Sequence, residues 1–274
     1  MKVIFTLPNF YAYQEINRRL IILWQHRPDY FNYDNIGLNH EEGNFPRFYH
    51  SGHTCNTFRF ANYDIIKDAT IISNAAIVLD CSNPLIEDND KFDTGLNLAL
   101  KLMDNGEVGV LISHPFMLEY IKSNYKYYHF IASEHYHIFD NQYSNNEDLS
   151  RIRFFINDTS YSNIDKSKVE LIVNNHCLTC EKRPDCILQD WQGFLQFKHQ
   201  RPFMTCNKVS TYCAPVELIQ QKIKEGYRHF CFNSQYLDEN DFTKLIELYL
   251  NVFIKPEYQD SADLILRGIK YVYD

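Results

Sequence analysis

A TIM-barrel-like (β/α) barrel is the fold class this sequence predicts, and three observations predict it. Short apolar runs recur along the chain, each ending in polar residues. Helical patterns separate many of them, and the strand–helix–strand order is what a parallel sheet with crossover helices produces. The expected barrel is whole, or incomplete or distorted, and takes up residues 1–274 as a single domain. A composition 45% hydrophobic and 23% charged supplies apolar surface for a sizeable core.

The strands come first. Lys2 to Leu7 precedes Pro8 and Asn9, Ala75 to Leu79 precedes Asp80, and Val108 to Ile112 precedes Ser113 and His114. Tyr128 to Ile131 leads to Ser133 and Glu134, and Arg153 to Ile156 leads to Asn157 and Asp158. Val169 to Val173 precedes Asn174, Asn175 and His176, and His229 to Phe232 precedes Asn233 and Ser234. Each run is short, rich in Val, Ile and Phe, and without helical period, as a buried strand requires.

Helices are expected over Leu96 to Asp104, closed by Asn105-Gly106, and over Phe116 to Asn124, opened by Pro115. Pro215 to Lys224 has Pro near its start, Glu217 in its first turn and Gly226 as its cap. Glu239 to Phe253, stopped by Pro256, and Ser261 to Tyr273 close the chain. The stretch from Tyr30 to Thr57, with Asn, Gly and His in number, reads as a long loop. Asn141 to Asn146 and Asp158 to Lys166 read as shorter polar loops.

The net charge of −8 argues against binding nucleic acid through bulk phosphate attraction. Met1 to Tyr11 fits neither a signal nor a transit peptide, and no run approaches the roughly 18 apolar residues of a membrane span. The expectation is a cytoplasmic protein away from the membrane, whose eight cysteines are thiols for metal or catalysis rather than a disulfide framework.

Cys177, Cys180 and Cys186 fall within ten residues, directly after an expected strand. A C-x2-C pair lets two sulfurs converge on one metal, and a third thiol six residues on closes the face. Cys206 or Cys213 would supply the fourth ligand, so that about 174–213 forms a cysteine-rich insertion in the barrel. Zinc and an iron–sulfur cluster both take four thiolates, and spacing leaves both open. The isolated Cys55, Cys81 and Cys231 read as small buried hydrophobes.

The residues Glu170-Leu-Ile-Val-Asn-Asn-His-Cys177-Leu-x-Cys180, with a downstream Cys, resemble the iron–sulfur segment of the collagenase-like peptidase U-32 family, of which this chain would be a short, divergent member. Gly109-Val-Leu-Ile-Ser-His-Pro-Phe-Met-Leu-Glu-Tyr-Ile-Lys, Ile131-Ala-Ser, Ala214-Pro215-Val-Glu-Leu-Ile and Gly226-Tyr-Arg-His-Phe extend the likeness over roughly Ser73 to Ser234. The family's "lys-ile-glu-gly-arg" ending is replaced by Cys231-Phe-Asn-Ser. The resemblance implies a [4Fe–4S] cluster on Cys177, Cys180, Cys186 and Cys206, with Cys213 as the alternative fourth ligand and zinc as the alternative metal. It implies oxygen-independent hydroxylation, or another redox modification, of an RNA or small-molecule substrate. Two other readings stand beside it. One is a non-enzymatic binding protein or accessory subunit with a structural four-cysteine site and a partner subunit. The other is a peptidase acting on protein, for which the sequence offers no G-x-S-x-G elbow.

Candidate catalytic residues are His114, Glu134, Asp158, Asn174 and His176, which follow strands and would ring the barrel mouth. His50 and His53 join them because an H-x2-H loop can converge on one ion, with Arg47 beside them as an anion contact.

Overall fold

The computed structural model describes residues 2–10, 12–43, 76–83, 86–175, 212–233 and 242–269. Eight parallel strands close into a barrel: β1 (Val3–Leu7), β2 (Ile36–Gly43), β3 (Ala76–Cys81), β4 (Gly109–Ile112), β5 (His129–Ala132), β6 (Leu149–Phe155), β7 (Val169–Ile172) and β10 (His229–Cys231). The ring runs β1-β10-β7-β6-β5-β4-β3-β2 and returns to β1. It is complete; its irregularities are two register shifts, between β1 and β2 and between β5 and β6. β8 (Asn174–Asn175) and β9 (Tyr212–Cys213) form a separate antiparallel pair just beyond the end of β7.

Seven α-helices lie among the described residues: α1 (Gln14–His26), α2 (Thr94–Met103), α3 (Pro115–Asn124), α4 (Tyr136–Phe139), α5 (Val216–Glu225), α6 (Thr243–Phe253) and α7 (Gln259–Leu266). Their ends follow local chemistry. Asp93 caps α2 by accepting from the Leu96 amide at 2.7 Å, and Pro115 opens α3 where a missing N–H costs nothing. Gly226 ends α5 at φ +109°, the left-handed geometry that glycine adopts without a Cβ clash.

Two expectations are corrected, and one helix is added. The stretch expected to be a loop from Tyr30 to Thr57 contains β2, which pairs with β1 and β3 and is needed to close the ring. A helix, α1, occupies Gln14–His26, where none is expected. Its buried stripe of Ile16, Leu20 and Leu23 includes a polar residue, Asn17. The helix expected to reach Tyr273 stops at Leu266, because Gly268 at φ +76° turns the chain and its amide bonds back to Ile265.

Strand residues alternate between two environments. Leu79, Val110, Phe130, Phe154, Leu171 and Phe230 belong to the main core between barrel and helices. On the other face lie two small apolar groups inside the barrel, Val78 with Leu111 and Ile131, and Phe155 with Ile172 and Cys231. Branched aliphatics usually fill such a lumen. Here charged side chains occupy much of the rest.

Candidate functional site

Arg153 on β6 is fully buried and extends its guanidinium across the lumen to pair with Glu42 on β2. Its Nε donates to Glu170 Oε2 on β7 at 2.6 Å. Glu170 Oε1 also accepts from Arg151 Nη1 at 2.8 Å and from Thr6 Oγ1 on β1 at 3.2 Å. Two arginines and two glutamates thus balance inside the barrel. Burial would raise the Glu170 carboxyl, but Arg153 and Arg151 outweigh it and hold the group at about 2. Nearer the N-terminal end, His40 and His229 face the same network. Burial, reinforced by Arg151, pushes both imidazoles down, His40 to about 4.

A cavity of about 290 Å³ opens at the C-terminal ends of β5 and β6, the face where barrel enzymes hold their active sites. Glu134, His135, His137, Tyr143, Arg153 and Asp158 line it. Two of the expected site residues, Glu134 and Asp158, therefore come together here. Glu134 Oε1 lies 3.6 Å from His135 Nε2. The site residues that the sequence pattern misses are Arg153, His135 and His137. The available signal was the charge at alternate positions of an apolar strand, Arg151 and Arg153 in β6, where a solvent-facing polar row is the usual reading.

Around the rim from β3 to β5 runs a chain of hydroxyls. Asp80 Oδ1 accepts from the Ser82 amide at 3.0 Å and from its hydroxyl. The Ser113 hydroxyl donates to the Ser82 carbonyl, and Ser133 Oγ lies 2.7 Å from Ser113 Oγ. Because Ser113 has one proton, Ser133 is the donor in that second contact. The His135 amide in turn donates to Ser133 Oγ at 3.2 Å, so these bonds fix the loop that carries Glu134 and His135.

His114 is buried outside the cavity lining, its ring 3.8 Å from that of Phe139 and 5.0 Å from that of Phe116. Asn174 acts as a strap. Its Nδ2 donates to the Asn233 carbonyl and its Oδ1 accepts from the Asn233 amide, both at 2.8 Å, which joins the ends of β7 and β10.

The β8–β9 pair, in register Asn174 to Cys213 and Asn175 to Tyr212, brings the two ends of the cysteine-bearing segment together on the C-terminal face. The Ala214 amide adds a bond to the Val173 carbonyl at 2.7 Å. Cys213 is half-buried, with its thiol pushed up to about 11 by that burial. Cys177, Cys180, Cys186, Cys206 and His176 lie outside the described residues, as do Arg47, His50, His53 and Cys55. Among the described residues no group of three His, Cys, Asp or Glu side chains could hold a metal ion. Cys81 and Cys231 are buried in apolar clusters, as expected of small hydrophobes. Among the described residues no helix is long and apolar enough to cross a membrane.

No family model matches this chain, and no curated protein matches it.

Proposed function

We propose that this chain is an iron–sulfur barrel protein that takes part in a redox modification of a small-molecule or RNA substrate bound at the C-terminal mouth. Hydroxylation is the reaction implied by its resemblance to the peptidase U-32 relatives. The observation that carries the reading is the β8–β9 pair. It ties the ends of the segment bearing Cys177, Cys180, Cys186 and Cys206 at the end of β7, next in the ring to β6, whose end forms the cavity. A loop closed at its base loses less entropy when its thiols gather on one metal.

The donor set is chemically suited to the group, since thiolates are the ligands of both [4Fe–4S] clusters and four-cysteine zinc sites. Cys177, Cys180, Cys186 and Cys206 would hold the metal, with Cys213 as the alternative fourth ligand. A [4Fe–4S] cluster, when bound, supplies one-electron transfer. The chain's own part lies in the cavity. Glu134 and His135 would pass a proton to or from the substrate, Asp158 would orient it, and the surrounding Tyr143 and Phe155 would limit water. Thiols of this number, kept free for metal, are at home in a reducing cytoplasm.

The test is anaerobic purification of the full chain, followed by a visible spectrum and assays of iron and sulfide. The expected result is a broad visible band with about four irons per chain, lost in Cys177→Ser. A colourless protein with stoichiometric zinc would overturn the redox reading in favour of a structural four-cysteine site in a non-enzymatic binding protein or accessory subunit. Iron loading that survives Cys177→Ser would overturn the ligand set.

A further inference from the structure

A buried guanidinium normally finds an acceptor for every N–H, because a buried donor left unmet keeps the whole cost of its lost hydration. Arg153 engages two of its three nitrogens internally, Nε in a hydrogen bond to Glu170 and Nη1 in an ion pair with Glu42. Its Nη2 is buried and has no hydrogen-bond partner among the described residues. The same side chain lines the cavity at the ends of β5 and β6. An occupant of that cavity is therefore the natural source of the missing acceptor.

The chemistry of the walls narrows the occupant. Arg153 already faces two acidic partners, and the cavity adds the side chains of Glu134 and Asp158. An anionic ligand on Arg153 would share the cavity with these two acids, beside the imidazoles of His135 and His137, and each like-charge contact costs affinity. The acceptor it offers should therefore be uncharged. The two acids, in turn, favour N–H donors on the same ligand. Tyr143 and Phe155 flank the space with apolar ring surface. A volume of about 290 Å³ suits a single ring with one polar head group.

We propose that this cavity binds a small, uncharged molecule with an amide-type head group, a carbonyl facing Arg153 Nη2 and adjacent N–H groups facing Glu134 and Asp158, on a flat apolar body. The site uses no cysteine, so its test is read with or without metal in the protein and its failure leaves the iron assay unaffected.

Three probes of matched shape test it: benzamide, benzoate and benzamidine, titrated into the full chain by ligand-observed NMR, with benzamide followed into crystals. Benzamide should bind about tenfold or more tightly than benzoate, the size of one hydrogen bond to a charged donor. It should also outbind benzamidine, which lacks the carbonyl. Arg153→Lys keeps a cation beside Glu42 and Glu170 but removes the fork, and should weaken benzamide about tenfold. Should that variant fail to fold, Asp158→Asn at the half-buried rim gives the second reading, with weakened benzamide expected. Equal or tighter binding of benzoate, no binding of any probe, benzamide affinity unchanged in the variants, or a crystal with water only at Nη2 would each overturn the proposal.

Discussion

Arg153 and Glu42 stand on strands four places apart in the ring of eight, so their ion pair spans the barrel lumen from β6 to β2. Neither side chain is more than marginally exposed, and Glu170 shares the guanidinium from the adjacent strand. Taking such charges out of water is costly, and the pair stands only because partners and hydrogen bonds offset the cost. The lumen is thereby held by polar geometry where a packed aliphatic interior would be the ordinary solution.

Removing both partners of this pair should cost less than the two single removals added together. Glu42→Gln leaves a buried guanidinium short of countercharge, and Arg153→Met takes that guanidinium away from the buried carboxylates of Glu42 and Glu170; each is expected to destabilise by about 3–5 kcal/mol. The double variant Glu42→Gln/Arg153→Met should lose clearly less than the sum, as Glu170 keeps Arg151. Urea unfolding of the four proteins measures this, and additive losses would show that the two residues are uncoupled.

Glu41, next to Glu42 but on the outer face, predicts a pH dependence. Burial raises its carboxyl from the ordinary 4.5 to about 7, against the lowering effect of the hydrogen bond from Asn17. The folded state thus holds the proton more tightly than the unfolded chain. Its contribution is fully present below about 4.5 and is lost as pH rises through 7. Glu41→Gln removes that loss, so its stability relative to the parent should rise between pH 4.5 and 8, by up to about 3 kcal/mol. A stability difference that stays flat over this range would refute the assignment.

Asn174→Ala should loosen the joint between β7 and β10. Two buried bonds to Asn233 are lost and its amide loses an acceptor, at a cost of about 2 kcal/mol. Hydrogen exchange at the Asn233 amide should accelerate more than exchange in β4, on the far side of the ring. Equal acceleration in both places would mean a global effect rather than a loosened strap.

Gly226→Ala tests the cap of α5. A Cβ there would lie 3.5 Å from Lys166 Cδ, an ordinary contact, so the penalty is the φ of +109° itself. A loss of about 1–2 kcal/mol in thermal or urea unfolding is expected. An unchanged midpoint would show that the turn relaxes without strain.

Seven of the eight barrel strands were legible in the sequence because one whole face of each packs under helices and must be apolar, whatever the lumen holds. β2 was not legible. Its second half, Asn39-His40-Glu41-Glu42, presents His40 and Glu42 to a polar lumen and Glu41 to Asn17, so no apolar run marks it. Helix α1 escaped for a related reason, since Asn17 sits in its buried stripe and finds partners in Glu41, the Pro8 carbonyl and Tyr249. Glu134 and Asp158 could be named in advance because polar residues after barrel strands reach the mouth by chain geometry alone. Arg153 could not, since a charge in a strand is tolerated inside a protein only when an opposite charge from another strand meets it. That meeting joins residues 42, 153 and 170 across a closed ring. The local pattern therefore determined which segments are strands, and only ring closure decided which of their charges are buried together and what cavity they line.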